Sequence, residues 1–206
     1  MIITAQKGKA NKIHISIDGE YKLTVDADFW FSCGYVSGDE IDEDAYASLA
    51  DSIAKRRCFN RALNILSRRD HCEKELFIKL KRADGESAAL DAVERVKKLG
   101  YIDDERYAVN LANELANRKG CGKRAILAEL IHRGVDRETA ENTIHSITLD
   151  ESDNIRVLLN GKYSRKLTSE KGRKQVFAAL LRLGYSYSDI RSAMNEYDEF
   201  DEDFDV

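Results

Sequence analysis

The chain has 206 residues, 43% apolar and 34% charged, and its 33 Lys and Arg against 37 Asp and Glu leave a formal charge of −4. That length buries a real core in one large domain or a few small ones, and the charge balance excludes a uniformly basic polyanion binder. No apolar run approaches the ~18 residues that would span a bilayer, the opening MIITAQKGKANK lacks the apolar stretch of a signal peptide, and Cys33, Cys58, Cys72 and Cys121 never form C-x-x-C, so a cytoplasmic protein without a zinc or disulfide framework is expected.

The charge is unevenly laid out. Residues 1–50 hold 9 acids and 4 bases, residues 51–195 hold 21 acids and 29 bases, and residues 196–206 hold 7 acids and no base. A basic middle between acidic ends is what the small net charge conceals. Proline is absent, where average usage of about 5% would supply roughly ten. Long helices tolerate that absence, because proline removes a helix hydrogen bond and clashes with the preceding turn.

In chain order, HISIDGEYKLTV alternates Ile13, Ile15 and Ile17 with polar neighbours, offers a tight turn at Asp18-Gly19, and resumes with Tyr21, Leu23 and Val25. This predicts a β-hairpin within residues 1–43. DFWFSCGYVSG, which follows, reads as a further strand or a packing segment. A two-stranded ribbon is marginal alone and needs a partner to lie against.

From about Asp44 the apolar spacing becomes helical and repeats every fifty residues. EKELFIKL (73–80), KRAILAEL (123–130) and RKQVFAAL (173–180) align without gaps. Leu76, Ile126 and Val176 correspond, as do Phe77, Leu127 and Phe177, and Leu80, Leu130 and Leu180. Positions i, i+1 and i+4 form one apolar stripe. Upstream, Arg56, Arg106 and Arg156 are each followed four residues later by Asn60, Asn110 and Asn160.

Helix punctuation fits three helices per repeat. Gly100, Gly134 and Gly184 read as left-handed helix ends, Asp103 and Asp136 as N-caps, and Ser186 with Asp189 and Asp70 with Glu73 as capping-box spacings. The expected fold is mainly α: a tandem array of three three-helix repeats at 44–100, 101–150 and 151–197, preceded by the hairpin segment and followed by an acidic tail at 198–206. Such repeats bury against neighbours what one alone cannot, and leave an extended face for a partner.

No catalytic constellation accompanies this pattern. The phosphate-loop, dinucleotide, zinc-protease and nucleophile-elbow motifs are missing. RKGCGKR (118–124) could hold an anion at the following helix N-terminus, or be a plain inter-helix turn. His14, His71, His132 and His145 lack metal-ligand spacing and read as surface or capping residues. Asp103-Asp104-Glu105 is better explained as a dipole-matched helix start than as a metal cluster.

Basic residues are the stronger signal. They gather in AKRRCFNRA (54–62), SRRD (67–70), KLKR (79–82), NRKGCGKR (117–124) and KYSRKLTSEKGRK (162–174). Lys74, Lys123, Arg124, Arg173 and Lys174 mark the start of the same helix in each repeat, and stacked repeats would align them opposite a polyanion or an acidic groove. With them, Arg68, Arg69, Lys79, Arg118, Lys119, Arg165, Lys166 and Lys171 complete the candidate partner or nucleic-acid contacts. The tail NEYDEFDEDFDV (195–206) interleaves three aromatics with seven acids, and reads as a solubilising tail, a mask for the basic stripe or a docking peptide.

RALNILSRRDHCEKELFIKL (61–80), LGYIDDERYA (99–108) and NRKGCGKRAILAELIHRGV (117–135) resemble, in order, the best-marked segments of the RecX family, modulators of the RecA recombinase. The likeness covers about residues 55–195. It departs at Cys72, where the family more often has serine, and at Leu183, where a basic residue commonly precedes the glycine. The resemblance implies three-helix repeats that bind the RecA–DNA filament and inhibit its ATPase, strand-exchange and co-protease activities, modulating DNA repair and the SOS response. It implies a monomer with no catalysis, cofactor or metal, touching the RecA filament and single- or double-stranded DNA. The alternative reading is a stand-alone single-stranded DNA-binding helical module that competes with RecA for DNA. The basic stretches offer few aromatics, with Tyr163 the main candidate, so stacking on bases is poorly supported. A third, an adaptor that recruits a partner through the acidic tail, rests on the tail alone.

Overall fold

A computed structural model of the chain describes residues 1–202, with side chains through residue 197. Three strands, β1 (Ile3–Lys7), β2 (Lys12–Ile17) and β3 (Glu20–Asp26), precede α1 (Ala27–Ser32), α2 (Glu43–Leu66), α3 (Glu73–Asp84) and α4 (Glu86–Lys98). Then come α5 (Asp104–Lys119), α6 (Lys123–Arg133) and α7 (Arg137–Ser146), followed by α8 (Glu151–Asn160), α9 (Ser164–Leu167), α10 (Glu170–Arg182) and α11 (Tyr187–Glu202). The chain forms two compact units, residues 1–68 with 77–98 and residues 69–76 with 99–206.

In the first unit the expected hairpin is β2–β3, closed by Asp18 and Gly19 at φ 49° and 82°. Two successive positive φ values match the twist of the paired strands. The ribbon is completed by β1, antiparallel to β2, which the sequence reading missed. DFWFSCGYVSG is not a strand: residues 27–32 are helical and bury Trp30 beside Ile3, Ile15, Ile17 and Val25. Its second reading, a packing segment, describes it. One helix, α4, lies along α2, and the pair buries small residues, Cys58, Ala62, Ala88, Ala89 and Ala92, which lets two axes approach closely. Asp84, with its side chain fully buried, receives Nε of Arg57 at 3.2 Å and Nε of Arg61 at 2.7 Å.

The fifty-residue register appears directly in burial. Leu76, Leu80, Ile126, Leu130, Val176 and Leu180 are all 0% exposed. One turn upstream, Cys72, Gly122 and Gly172 are buried too, so the stripe extends to i−4, where only small residues stand. In the second unit, repeat two gathers Tyr107, Ala112, Leu115 and Val135 around Ile126 and Leu130. Repeat three gathers Ile155, Leu159, Tyr185 and Ile190 around Val176 and Leu180. The predicted caps form: Asp103, Asp136 and Ser186 accept from the amides of Arg106, Thr139 and Asp189.

Two junctions in the second unit share one design. At the start of α3, the Glu73 amide donates to Asp104 Oδ1 at 2.8 Å, and the Cys72 thiol to the Arg133 carbonyl. At the start of α6, fifty residues on, the Lys123 amide donates to Glu151 Oε1 at 2.9 Å, and the Gly122 amide to the Leu183 carbonyl. α3 and α6 are therefore each capped by an acid from the next repeat's first helix and seated on the turn after the next repeat's middle helix, while α10 is capped by Ser169 of its own repeat. The carboxylate on the Glu73 amide is Asp104, not the Asp70 that the local spacing suggested. Gly134 and Gly184 form those turns at φ 102° and 92°, and a Cβ on Gly184 would stand 2.6 Å from Ala125 Cβ.

Beside the first junction, Glu75 receives Arg69 at 2.5 and 3.2 Å and lies 2.9 Å from Nδ1 of His71, which is 4% exposed. His71 is therefore buried, not a surface residue. Burial pushes the Glu75 carboxyl up, but hydrogen bonds and charge from Arg69 and His71 outweigh it and hold the group at about 2, from an ordinary 4.5.

Gly184→Ala is expected to destabilise the protein well beyond Gly85→Ala. Both positions have positive φ, but nothing lies within 4 Å of a Cβ at Gly85, so that variant carries only the left-handed penalty of about 1–2 kcal/mol; urea melts compare the two. For Glu75 the folded pKa lies below the unfolded one, so its contribution is complete above pH 4.5 and is lost as pH falls toward 2. Thermal melts across that window should show a steep acid limb in the wild type and a shallower one in Glu75→Gln.

Candidate polyanion-binding face

Eleven of the thirteen predicted contact residues lie in the second unit; Arg68 and Lys79 belong to the first. Among the described residues, at least three are engaged with acids. Arg69 is held by Glu75, Arg118 meets Glu114 at 3.3 Å, and Lys174 meets Glu170 at 2.6 Å. A pair as exposed as the last, at 77% and 83%, is easily exchanged for another anion. Arg69 is the opposite case, a structural cation tied to a partly buried carboxylate.

The repeat separates two neighbouring positions at the start of each middle helix. Lys74, Arg124 and Lys174 are equivalent and all exposed. One residue earlier, Glu73 and Lys123 bring their amides to the next repeat's carboxylates, and Arg173 turns its Nε to the Leu167 carbonyl at 2.9 Å. Among the described residues Lys74 and Arg124 make no ion pair. Each repeat thus exposes a basic side chain at this one equivalent position.

The remaining candidates are placed as follows. Lys119 shares a cleft of about 340 Å³ with Arg69, Asn110, Tyr107 and Arg133, the last a cation that sequence reasoning missed. Lys166 borders a groove of about 530 Å³ with Arg182, also missed, while Lys171 and Lys174 share a shallower hollow on α10. Arg165 is exposed on α9. Arg182 and Arg133 could have been found from their place in the last turn of a middle helix, where basic side chains face the carbonyl end.

Two sequence readings fail here. RKGCGKR does not present a free helix N-terminus, because the Gly122 and Lys123 amides are consumed by Leu183 and Glu151. Its glycines serve close packing: a Cβ on Gly122 would approach Tyr185 to 3.0 Å. Tyr163 is 8% exposed and cannot offer a ring face to a base. The tail's first acid, Glu196, receives Nε and Nη2 of Arg156 at 3.0 and 2.7 Å, so this end of α11 is held against α8 rather than against the basic candidates. Positions 198–206 lie outside the described side chains.

The fold and the basic face can now be set beside known proteins. Models of the first and second three-helix domains of RecX match residues 58–95 and 103–144. The regulatory protein RecX of Caldanaerobacter subterraneus is 32% identical over 95% of this chain and 99% of its own. That of Clostridioides difficile is 26% identical over 97% and 96%. Among solved structures, a regulatory protein RecX superposes with a TM-score of 0.68 at 23% identity, covering 92% of this chain and 97% of that one. RecX from Lactobacillus salivarius gives 0.61, covering 70% and 97%. With a relative above 30% identity aligned over nearly its whole length, and with both helical domains matched, the chain belongs to the RecX family of regulatory proteins.

Proposed function

We propose that this protein is a non-catalytic inhibitor of the RecA–DNA filament, lowering its ATP hydrolysis, strand exchange and co-protease activity and so tempering DNA repair and the SOS response. The observation that carries the reading is the exposed cation at one repeat position, Lys74, Arg124 and Lys174. A filament presents the same surface many times, and a protein that repeats its own contact at a set spacing can meet several copies. Modest contacts on linked repeats add through effective concentration when the spacing permits simultaneous engagement. The junction caps favour this, because they tie the second and third repeats together through their backbones as well as their side chains.

The competing reading, free DNA binding by the helical repeats alone, is disfavoured by the burial of Tyr163. Without stacking, such a module relies on phosphate contacts and should be steeply salt-dependent.

The test is ATP hydrolysis by RecA preassembled on single-stranded DNA, titrated with this protein while free DNA binding is followed at the same salt. Hydrolysis is expected to fall at concentrations where free DNA is still unbound. Replacing Lys74, Arg124 and Lys174 together by Gln should raise the half-inhibiting concentration by about tenfold or more, and each single change by about threefold or less. Inhibition that tracks occupancy of free DNA would sink the proposal.

A further inference from the structure

The segment that joins α8 to α10 is strongly and unevenly charged. Residues 161–174, GKYSRKLTSEKGRK, carry Lys162, Arg165, Lys166, Lys171, Arg173 and Lys174 against one acid, Glu170. That acid meets Lys174 at 2.6 Å. Lys162, Arg165 and Lys166 make no ion pair among the described residues. Bases gathered in this way repel one another until an anion settles among them.

The end of α11 is aimed at this segment. α8 and α11 start side by side, since a Cβ on Gly122 would meet both Glu151 Oε1 at 2.7 Å and Tyr185 Cδ1 at 3.0 Å. Further along, Arg156 Nη2 meets Glu196 Oε2 at 2.7 Å. The two helices therefore run in the same sense. Each residue of α11 beyond 196 advances about 1.5 Å toward Asn160, where α8 ends, and the bases that follow it. The helix continues to Glu202. Its inner face is Ile190, Ala193 and Tyr197, packed on the core of repeat three. In the sequence Phe200 and Phe204 extend that series by further steps of three and four, and Glu199 and Asp203 stand three and seven positions after Glu196.

We propose that residues 198–206 dock on the basic segment 161–174 of their own chain, the two phenylalanines prolonging the apolar stripe of α11 and the acids meeting Lys162, Arg165 and Lys166. Residues 196–206 hold seven acids and no base, against six bases and one acid in the segment. The reach suffices, because nine residues span about 13 Å as a helix and about 30 Å extended. A second copy or a separate acidic protein offers similar charge, but neither starts from an anchor already fixed on α8. Single exposed ion pairs are weak, and the short tether compensates with an effective concentration on the order of millimolar. Arg165, Lys166, Lys171, Arg173 and Lys174 are also candidate partner contacts, so a docked tail competes with a partner for them. That consequence rests on the function proposed above; the docking itself does not.

Acetylation of lysines in the full chain with an N-hydroxysuccinimide ester, at low salt and read by mass spectrometry, tests the docking. Lys162 and Lys166 should react about threefold or more slowly in the wild type than in a variant carrying Glu199→Gln, Asp201→Asn, Asp203→Asn and Asp205→Asn. Phe200→Ala with Phe204→Ala should release them too, because charge alone is weak at exposed sites. In wild type, molar salt should remove the protection, the Debye length then being about 3 Å. Lys119, in repeat two, should react alike in every variant. Protection that survives about a hundredfold dilution marks a contact within one chain. Protection that fades on dilution assigns the tail to a second copy and overturns the proposal. Equal rates in wild type and the acid variant, or protection of Lys119 in place of Lys162 and Lys166, overturn it as well. RecA is absent from this experiment, so failure of the docking and failure of the filament reading are distinguishable.

Discussion

Everything in the second unit depends on how the first turn of a middle helix is satisfied. Backbone amides at a helix start have no partner within the helix, and leaving them buried and unpaired is costly. Here the partner comes from the following repeat: Asp104 for the start of α3 and Glu151 for the start of α6. The same two places are seated on the turn after the next middle helix, through Arg133 and Leu183. At these two places a repeat does not complete its own helix start, whereas α10 is capped within its own repeat, the Gly172 amide donating to Ser169 Oγ at 3.1 Å. That is why residues 69–76 belong with 99–206 and not with the residues that flank them in sequence.

This arrangement divides labour between adjacent residues. Positions 72, 122 and 172 must be small, since the chain passes too close for a larger side chain. Positions 73 and 123 give their amides to the junction, and 74, 124 and 174 point outward with a positive charge. Junction contacts and exposed charge therefore sit one residue apart. The departures from the family pattern are absorbed by the same geometry: Cys72 donates its thiol where a serine hydroxyl would donate, and Leu183 contributes its carbonyl, for which side-chain identity matters little.

A single tripeptide shows where sequence reasoning stops. Leu-Gly-Tyr occurs at 99–101 and again at 183–185, each time with the glycine at positive φ. Tyr101 is 54% exposed, while Tyr185 is 0% exposed and donates its hydroxyl to the Gly120 carbonyl at 3.0 Å. The first closes a third helix and the second a middle helix, and only the latter lies on a junction. Packing also decides the state of Arg69, a candidate contact residue that is held by Glu75, and of Tyr163, the main candidate for a stacking role that the sequence supported poorly, which is buried in the core of repeat three.

Periodicity and local chemistry were legible in the chain itself: the apolar stripe at 76 and 80 with its equivalents, the caps at Asp103, Asp136 and Ser186, and the turn at Asp18-Gly19. These follow from interactions a few residues apart, so their signal is written in consecutive letters. The strand β1, the helical state of residues 27–32, the capping of one repeat by the next and the alignment of α8 with α11 were decided by tertiary structure. In each of these the deciding partner lies tens of residues away or on another element, as Asp104 does for Glu73 and Glu196 for Arg156. Which cations are paired was decided in the same way, because that depends on the acid that packing places beside each.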